Sequence, residues 1–339
     1  MMRLRTVSRL GLLTAAVVAG FVTSLALGSS LIPPGRVLAA LFGEGARMDE
    51  VIVWTLRLPR VLLAILAGAA LALAGALLQR VTRNPMAAPS ILGITDGAAL
   101  GVVSFLWVFS DEANRLTVSI HWQPLAAAIG AFGFALIAGG LTLADPRGRG
   151  PLRLILYGIA LAALAKAAVT LVMIIGPVYR AGQALTWLTG TIGAAHWGDV
   201  AVVAAGLAVA APVLAWLNLP LRQLALDPQT AAATGLPVGR TQIVLLAISV
   251  ALTALAVSQV GAVGFVGLIA PHAARLVIGA FAPGYLVATA LIGSLLVLGA
   301  DTLARLIAAP LELPAGAITA LIGAPLFLTL LIRRQGTHG

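Results

Sequence analysis

Cysteine is absent from all 339 residues, so the chain can hold no disulfide, thiolate metal site or cysteine nucleophile. Charge is nearly as scarce: 9% of residues are Asp, Glu, Lys or Arg, where a soluble domain carries about 25%. The sole lysine, Lys166, sits among alanines in an apolar run, which excludes a GxxxxGK loop ending in Ser or Thr and therefore ATP hydrolysis by this chain. The histidines, His121, His196, His272 and His338, are scattered without ligand spacing such as HExxH, so no metal site is expected. No serine, histidine and acid set lies at a shared depth, and no catalytic residue is assigned.

What is present is apolar. Hydrophobic residues make up 60% of the chain and the mean hydropathy is +1.06, so the chain needs lipid as its solvent. Apolar runs recur from end to end and leave no polar stretch for a separate globular domain, so 1–339 reads as one transmembrane domain. The net charge of +10 would suggest a nucleic-acid partner in a soluble protein. Here the basic residues stand singly between apolar runs, the pattern of loops facing an anionic leaflet, and no nucleic acid is expected. Basic residues followed by an apolar run also open a signal peptide. The run from Leu10 to Leu27 exceeds the usual core of about 7 to 15 residues and favours a retained first helix.

Backbone groups in lipid must be satisfied internally, and runs this long are helices rather than barrel strands. About ten spans of about 20 residues are expected: Leu10 to Ile32, Pro59 to Gln79, Ser90 to Phe109, Leu125 to Leu143, Leu154 to Ile175, Val200 to Trp216, Thr241 to Val260, Phe265 to Gly279, Gly284 to Leu303 and Ala315 to Ile332. The fold class is thus an all-α integral membrane protein with both termini cytoplasmic. That orientation puts Arg3, Arg5, Arg9, Arg80, Arg83, Arg147, Arg149, Arg153, Arg222, Arg240, Arg275, Arg333 and Arg334 inside. It leaves Arg36, Arg47, Arg57, Arg60, Arg115, Arg180 and Arg305 outside, exceptions that need a reward. The pair Trp187 and Trp197 brackets an external segment and reads as an interface marker.

The most informative stretch runs from Arg57 to Gly101, RLPRVLLAILAGAALALAGALLQRVTRNPMAAPSILGITDGAALG. Pro59 with Arg57 and Arg60 opens a helix outside, Arg83, Asn84 and Pro85 break the chain inside, and Gly93 and Gly97 begin the next span. This stretch resembles the FecCD-type permeases of type II ABC importers. The resemblance continues in order through LTWLTGTIGAAHWGDV, LALDPQTAAATGLPVGR, GAVGFVGLIAPHAARLVIG, ADTLAR and ELPAGAITALIGAPLF, and covers nearly the whole chain. It implies ten helices, a second permease subunit (identical or paralogous), a cytoplasmic ABC ATPase dimer that binds ATP and Mg, a periplasmic substrate-binding protein, and the bacterial inner membrane. No cofactor is implied in this chain itself.

The internal loop from about 217 to 240 has Asp227 and Pro228 placed to start a short helix and Gly235 and Pro237 placed to end it. The resemblance implies that it couples to the ATPase, with Leu226, Asp227, Ala231, Thr234 and Gly235 as contact candidates; a mere connector is the alternative. Arg57, Arg60 and Arg305 oppose the positive-inside bias. The resemblance implies that they meet acidic residues of the binding protein, while snorkelling to headgroups, or a pair of Arg305 with Asp301 one turn away, would also place them. Lys166 lies mid-span and must face the bundle interior or a wet cavity. It is a candidate for the translocation pathway, where it would attract an anionic ferric chelate, or else for a structural partner such as a carbonyl or Asp96. His272, after Pro271, reads as a capping or packing group at a helix break.

The LTWLTG segment looks most like the ferric siderophore branch, with haem and cobalamin as alternatives. A rival from another class is an ion-coupled secondary transporter, which would want paired intramembrane acids at mid-depth, whereas Asp96 and Asp301 lie near helix ends.

Overall fold

The computed structural model describes residues 2–28, 30–111, 115–146, 151–176, 178–307, 309 and 311–335. Arg147, Arg149 and His338 lie outside them. Every expected apolar run contains a helix: α1 (Met2–Ala26), α2 (Leu58–Thr82), α3 (Ile94–Val108), α4 (Gln123–Ala144), α5 (Pro151–Ile175), α6 (Trp197–Trp216), α7 (Val238–Val260), α8 (Val266–Ile278), α9 (Tyr285–Ile307) and α10 (Ala315–Gln335). Among the described residues there is no strand, only an isolated bridge between Ser110 and Leu116. Seven helical segments are long and apolar enough to cross a membrane, which makes this a multi-pass membrane protein; α3, α8 and Ala315–Thr329 of α10 are shorter apolar helices.

The core is built around α2, which is buried along nearly its whole length and packs chiefly against α9, α7 and α8. In lipid no hydrophobic drive holds helices together, so close approach of small residues and interhelical hydrogen bonds must do it. Gly68 faces Gly293 of α9 and Gly75 faces Gly267 of α8 so tightly that a methyl on either would land on the opposing carbonyl. Hydroxyls lock the same contacts: Ser249 of α7 donates to the Ala74 carbonyl at 2.7 Å and Ser294 of α9 to that of Ile65 at 2.8 Å. Gln79 adds bonds to the Gly267 and Leu268 carbonyls at 3.3 and 3.4 Å.

Three expectations are corrected. Pro59 does not open its helix: helical backbone runs unbroken from Arg47 to Thr82, with a π-helical stretch at Ile52–Arg57 immediately before the proline. The wider π turn accommodates a residue that lacks an N–H and crowds the carbonyl four residues back. Nor does α8 break at Pro271 and His272, which lie inside it; the break falls at Phe265, whose φ of 64° is left-handed. Trp187 is buried rather than at an interface, in a short helix, Val178–Leu188, with its carbonyl taking the Ala262 amide at 3.3 Å. Trp197 is half-exposed, and its indole donates to the Trp54 carbonyl at 3.0 Å.

Candidate functional site

At the end of the bundle where α1 stops and α2 begins, Arg57, Arg60 and Arg305 come together, and all three are buried. Asp301, fully buried on α9, lies 2.9 Å from Arg60 and 3.3 Å from Arg305, the latter being the one-turn pair foreseen as an alternative. Glu312, in the segment between α9 and α10, accepts from Arg60 Nη1 with both oxygens at 2.9 Å. Arg57 donates to the carbonyls of Leu25, Ala26 and Ser30, and Arg305 to those of Ser24 and Leu27. The last carbonyls of a helix have no partner of their own and carry the negative end of its dipole. Two guanidinium groups therefore cap α1.

Partners for all three arginines are thus found within the chain. Three guanidinium groups against two carboxylates leave one positive charge. The cluster borders a cavity of about 350 Å³ whose lining includes all three arginines, His196 and Glu312. The sequence reading missed Glu312 and the α1 carbonyls as partners. An acid in the ELPAG segment at the same depth as Arg60 was the available signal.

At the opposite end, the loop between α6 and α7 folds into two short helices, Asn218–Gln223 and Pro228–Ala233. Asp227 caps the second as expected, its Oδ1 accepting from the Gln229 and Thr230 amides at 3.1 and 2.9 Å. Hydrogen bonding from Thr230, reinforced by the Gln229 amide, holds this carboxyl below its ordinary range. Gly235 ends the turn with a φ of 81°, a conformation that favours glycine. Leu226, Asp227, Thr234 and Gly235 are exposed, whereas Ala231 is fully buried and faces the bundle. Leu226 and Asp227 also border a cavity of about 520 Å³ with Arg80, Arg83 and Arg275, basic residues the sequence had placed only by topology. Arg80 lies 5.3 Å from the ring centre of Tyr285.

Between these ends, on α5, the side chain of Lys166 is 72% exposed and its Nζ lies 3.8 Å from Asp96 Oδ1 in the first turn of α3. A charge at this depth costs at least about 2.5 kcal/mol on insertion scales. Among the described residues, no group of three His, Cys, Asp or Glu could hold a metal.

Residues 16–333 match the family described as the FecCD transport family. The chain is 44% identical over 327 residues to a siderophore transport system permease protein of Bacillus subtilis (strain 168), covering 96% of this chain and 93% of the relative. It is 40% identical over 332 residues to the achromobactin transport system permease of Dickeya dadantii (strain 3937), covering 98% and 93%. With a vitamin B12 import permease of Klebsiella pneumoniae the identity is 34%, covering 96% and 93%. A solved structure described as an inward-facing metal-chelate type ABC transporter superposes with a TM-score of 0.83 at 30% identity, covering 96% of this chain and 98% of that one.

Proposed function

The chain belongs to the FecCD transport family, and on that premise we propose that it is the membrane permease subunit of an ATP-driven, binding-protein-dependent importer of ferric siderophores. The observation that carries this reading is the family match from residue 16 to 333, which spans both candidate ends and the helices between them. Relatives named for siderophore and achromobactin transport support the substrate class, and the more distant vitamin B12 permease keeps cobalamin as a second candidate.

In this reading all ten numbered helices cross the inner membrane of a bacterium, with both termini cytoplasmic, beside a second permease that is identical or paralogous. A cytoplasmic ATPase dimer binds ATP and Mg and performs hydrolysis. It meets the loop at 217–240 through Leu226, Asp227, Thr234 and Gly235, with Ala231 anchoring that loop to the bundle. The binding protein docks at the opposite end, over the cavity bordered by Arg57, Arg60 and Arg305. Its carboxylates would compete there with Glu312 for Arg60, and guanidinium forks give such pairs fixed geometry. Alternating exposure of the Lys166 face to either side then moves the cargo.

Reconstitution tests the whole. Liposomes holding this chain with its cognate ATPase and binding protein should take up a radiolabelled ferric siderophore only when ATP is present, and the purified chain alone should hydrolyse no ATP. Uptake driven by a proton or sodium gradient without the ATPase would make the chain a secondary transporter instead.

A further inference from the structure

On the flank of the bundle a groove of about 750 Å³ runs between α4 and α6, with α7 as its floor. Small residues hollow it: Ala128 on α4, Gly206 and Ala210 on α6, and Ala251 on α7. Its walls are apolar and turned outward, with Leu125 and Phe132 of α4 and Val209 and Val213 of α6 all exposed.

Polarity along the groove is one-sided. Asp199 in the first turn of α6, His121 and Trp122 just before α4, and Ser258 and Gln259 in the last turn of α7 line one end. The arginine cluster lies at that same end of the bundle, because the Trp197 indole ties the start of α6 to the Trp54 carbonyl ahead of α2. From Asp199 to Val213 the groove follows α6 for about 21 Å at 1.5 Å per residue, and below its polar mouth every lining residue is apolar. Half of a bilayer about 40–45 Å thick, headgroups included, has the same depth. The groove thus repeats the polarity of a single lipid over the length of a single leaflet.

The mouth also has a charge preference. Asp199 is the single charged residue of the lining, and among the described residues no arginine or lysine borders the groove. Its Oδ2 accepts the His196 amide at 2.8 Å, and the side chain is half-buried beside the opening. A carboxylate without a basic neighbour suits an ammonium and repels a net anion. The exposed Trp122 indole and the Gln259 amide, whose bond to Ser258 Oγ is 3.4 Å long, bring N–H donors for a phosphate to the same mouth.

We infer that this groove holds one phospholipid with an amine headgroup, drawn from the leaflet at the arginine end. Its acyl chains lie along α6 and α7, its ammonium meets Asp199, and its phosphate sits at Trp122 and Gln259. The site requires only a chain that spans a membrane, so it stands or falls apart from the cargo and its ATP dependence.

Native mass spectrometry of the purified chain reads the site directly. Released from nanodiscs of equal phosphatidylethanolamine and phosphatidylglycerol, each subunit should retain one lipid, enriched about threefold in the ethanolamine form, a modest factor in keeping with one exposed ion pair. Asp199→Asn, which keeps an acceptor for the His196 amide, should abolish the enrichment. Val209→Trp, at an exposed side chain inside the groove, should cut retention several-fold, whereas Leu12→Trp, at an exposed position of α1 outside it, should not. Equal retention in the two tryptophan variants, or enrichment of the glycerol form in the parent, overturns the site. A change in the number of subunits per particle with Val209→Trp alone also overturns it, because a second copy of the chain would then be covering the groove. If either tryptophan perturbs folding, the comparison of the parent with Asp199→Asn decides the matter by itself.

Discussion

Where α1 ends and α2 begins, three arginines are buried, and each is bonded to carbonyls or carboxylates of its own chain. At the other end Arg83, at the C-terminal cap of α2, and Asp227, in the loop of two short helices, are exposed around a larger cavity. The same two residue types, arginine and aspartate, thus serve opposite purposes. Charges enclosed together fix the relative position of α1, α2, α9 and the segment before α10, because separating them would strand a charge without water. Charges at the loop hold a local turn and leave the surface open to a partner. One end encloses its charges, the other leaves them exposed.

The widest separation between the two ends should come from removing the shared carboxylate. Asp301→Ala leaves Arg60 and Arg305 facing each other in an enclosed site, and breaking such a pair costs about 3–5 kcal/mol. The purified subunit in detergent should lose its folded state at markedly lower temperature or denaturant concentration. Replacing Asp301 and Arg60 together by leucine and methionine should recover only part of that loss, since the apolar pair frees Arg60's site of charge while Arg305 still lacks its carboxylate. A single variant as stable as the parent would mean that the cluster is wetter than its burial indicates.

How much of this was legible beforehand follows from the kind of signal each feature leaves. Spans such as Gly284 to Leu303, found as Tyr285–Ile307, were readable because lipid demands a long apolar helix and a run with Asp301 as its single charge reports it directly. Asp227 and Gly235 were readable because capping and left-handed turns are local chemistry. The partners of Arg57 and Arg60 were not, because they lie far away in sequence: Leu25 is 32 residues from Arg57, and Glu312 is 252 from Arg60. Topology marked those arginines as misplaced and could not say what held them. The π-helical stretch before Pro59 was invisible for a related reason. Proline signals a helix start as readily as a register change, and only the packed backbone decides between them.

A smaller effect separates two carboxylates within the arginine cluster. Glu312 grips Arg60 with both oxygens, yet 54% of its side chain is exposed, against 1% for Asp301. Water screens such a pair, and exposed ion pairs contribute about 0.2–1 kcal/mol. Glu312→Gln should therefore leave detergent stability within that margin of the parent. Its effect should appear in docking, where freeing Arg60 from a competing carboxylate raises affinity for an acidic partner and steepens its dependence on salt. Measuring association of the binding protein with the reconstituted complex across ionic strength gives the answer. A stability loss as large as that of Asp301→Ala would erase the distinction between a shared buried acid and a rim acid.

The smallest change lies at the loop, where one carboxylate governs one turn. Because Asp227 titrates below its ordinary range in the folded chain, owing to Thr230 and the Gln229 amide, its capping contribution is fully present above the unfolded value of about 3.9. It is lost only as pH falls through the lower folded value. From about pH 7 down to about pH 4, hydrogen-exchange protection of the Gln229 and Thr230 amides should accordingly hold steady, and it should decline only under stronger acid. Asp227→Asn keeps a side-chain acceptor for both amides and should lose that acid dependence while retaining most of the protection. Asp227→Ala should expose both amides at every pH and weaken co-purification with the ATPase, with α2 and its neighbours undisturbed because Asp227 is exposed and the buried Ala231 of the same helix is unchanged. If the alanine variant exchanges like the parent and holds the ATPase equally well, the turn is kept by Gly235 and the burial of Ala231 alone, and the loop end is as self-sufficient as the arginine end it was contrasted with.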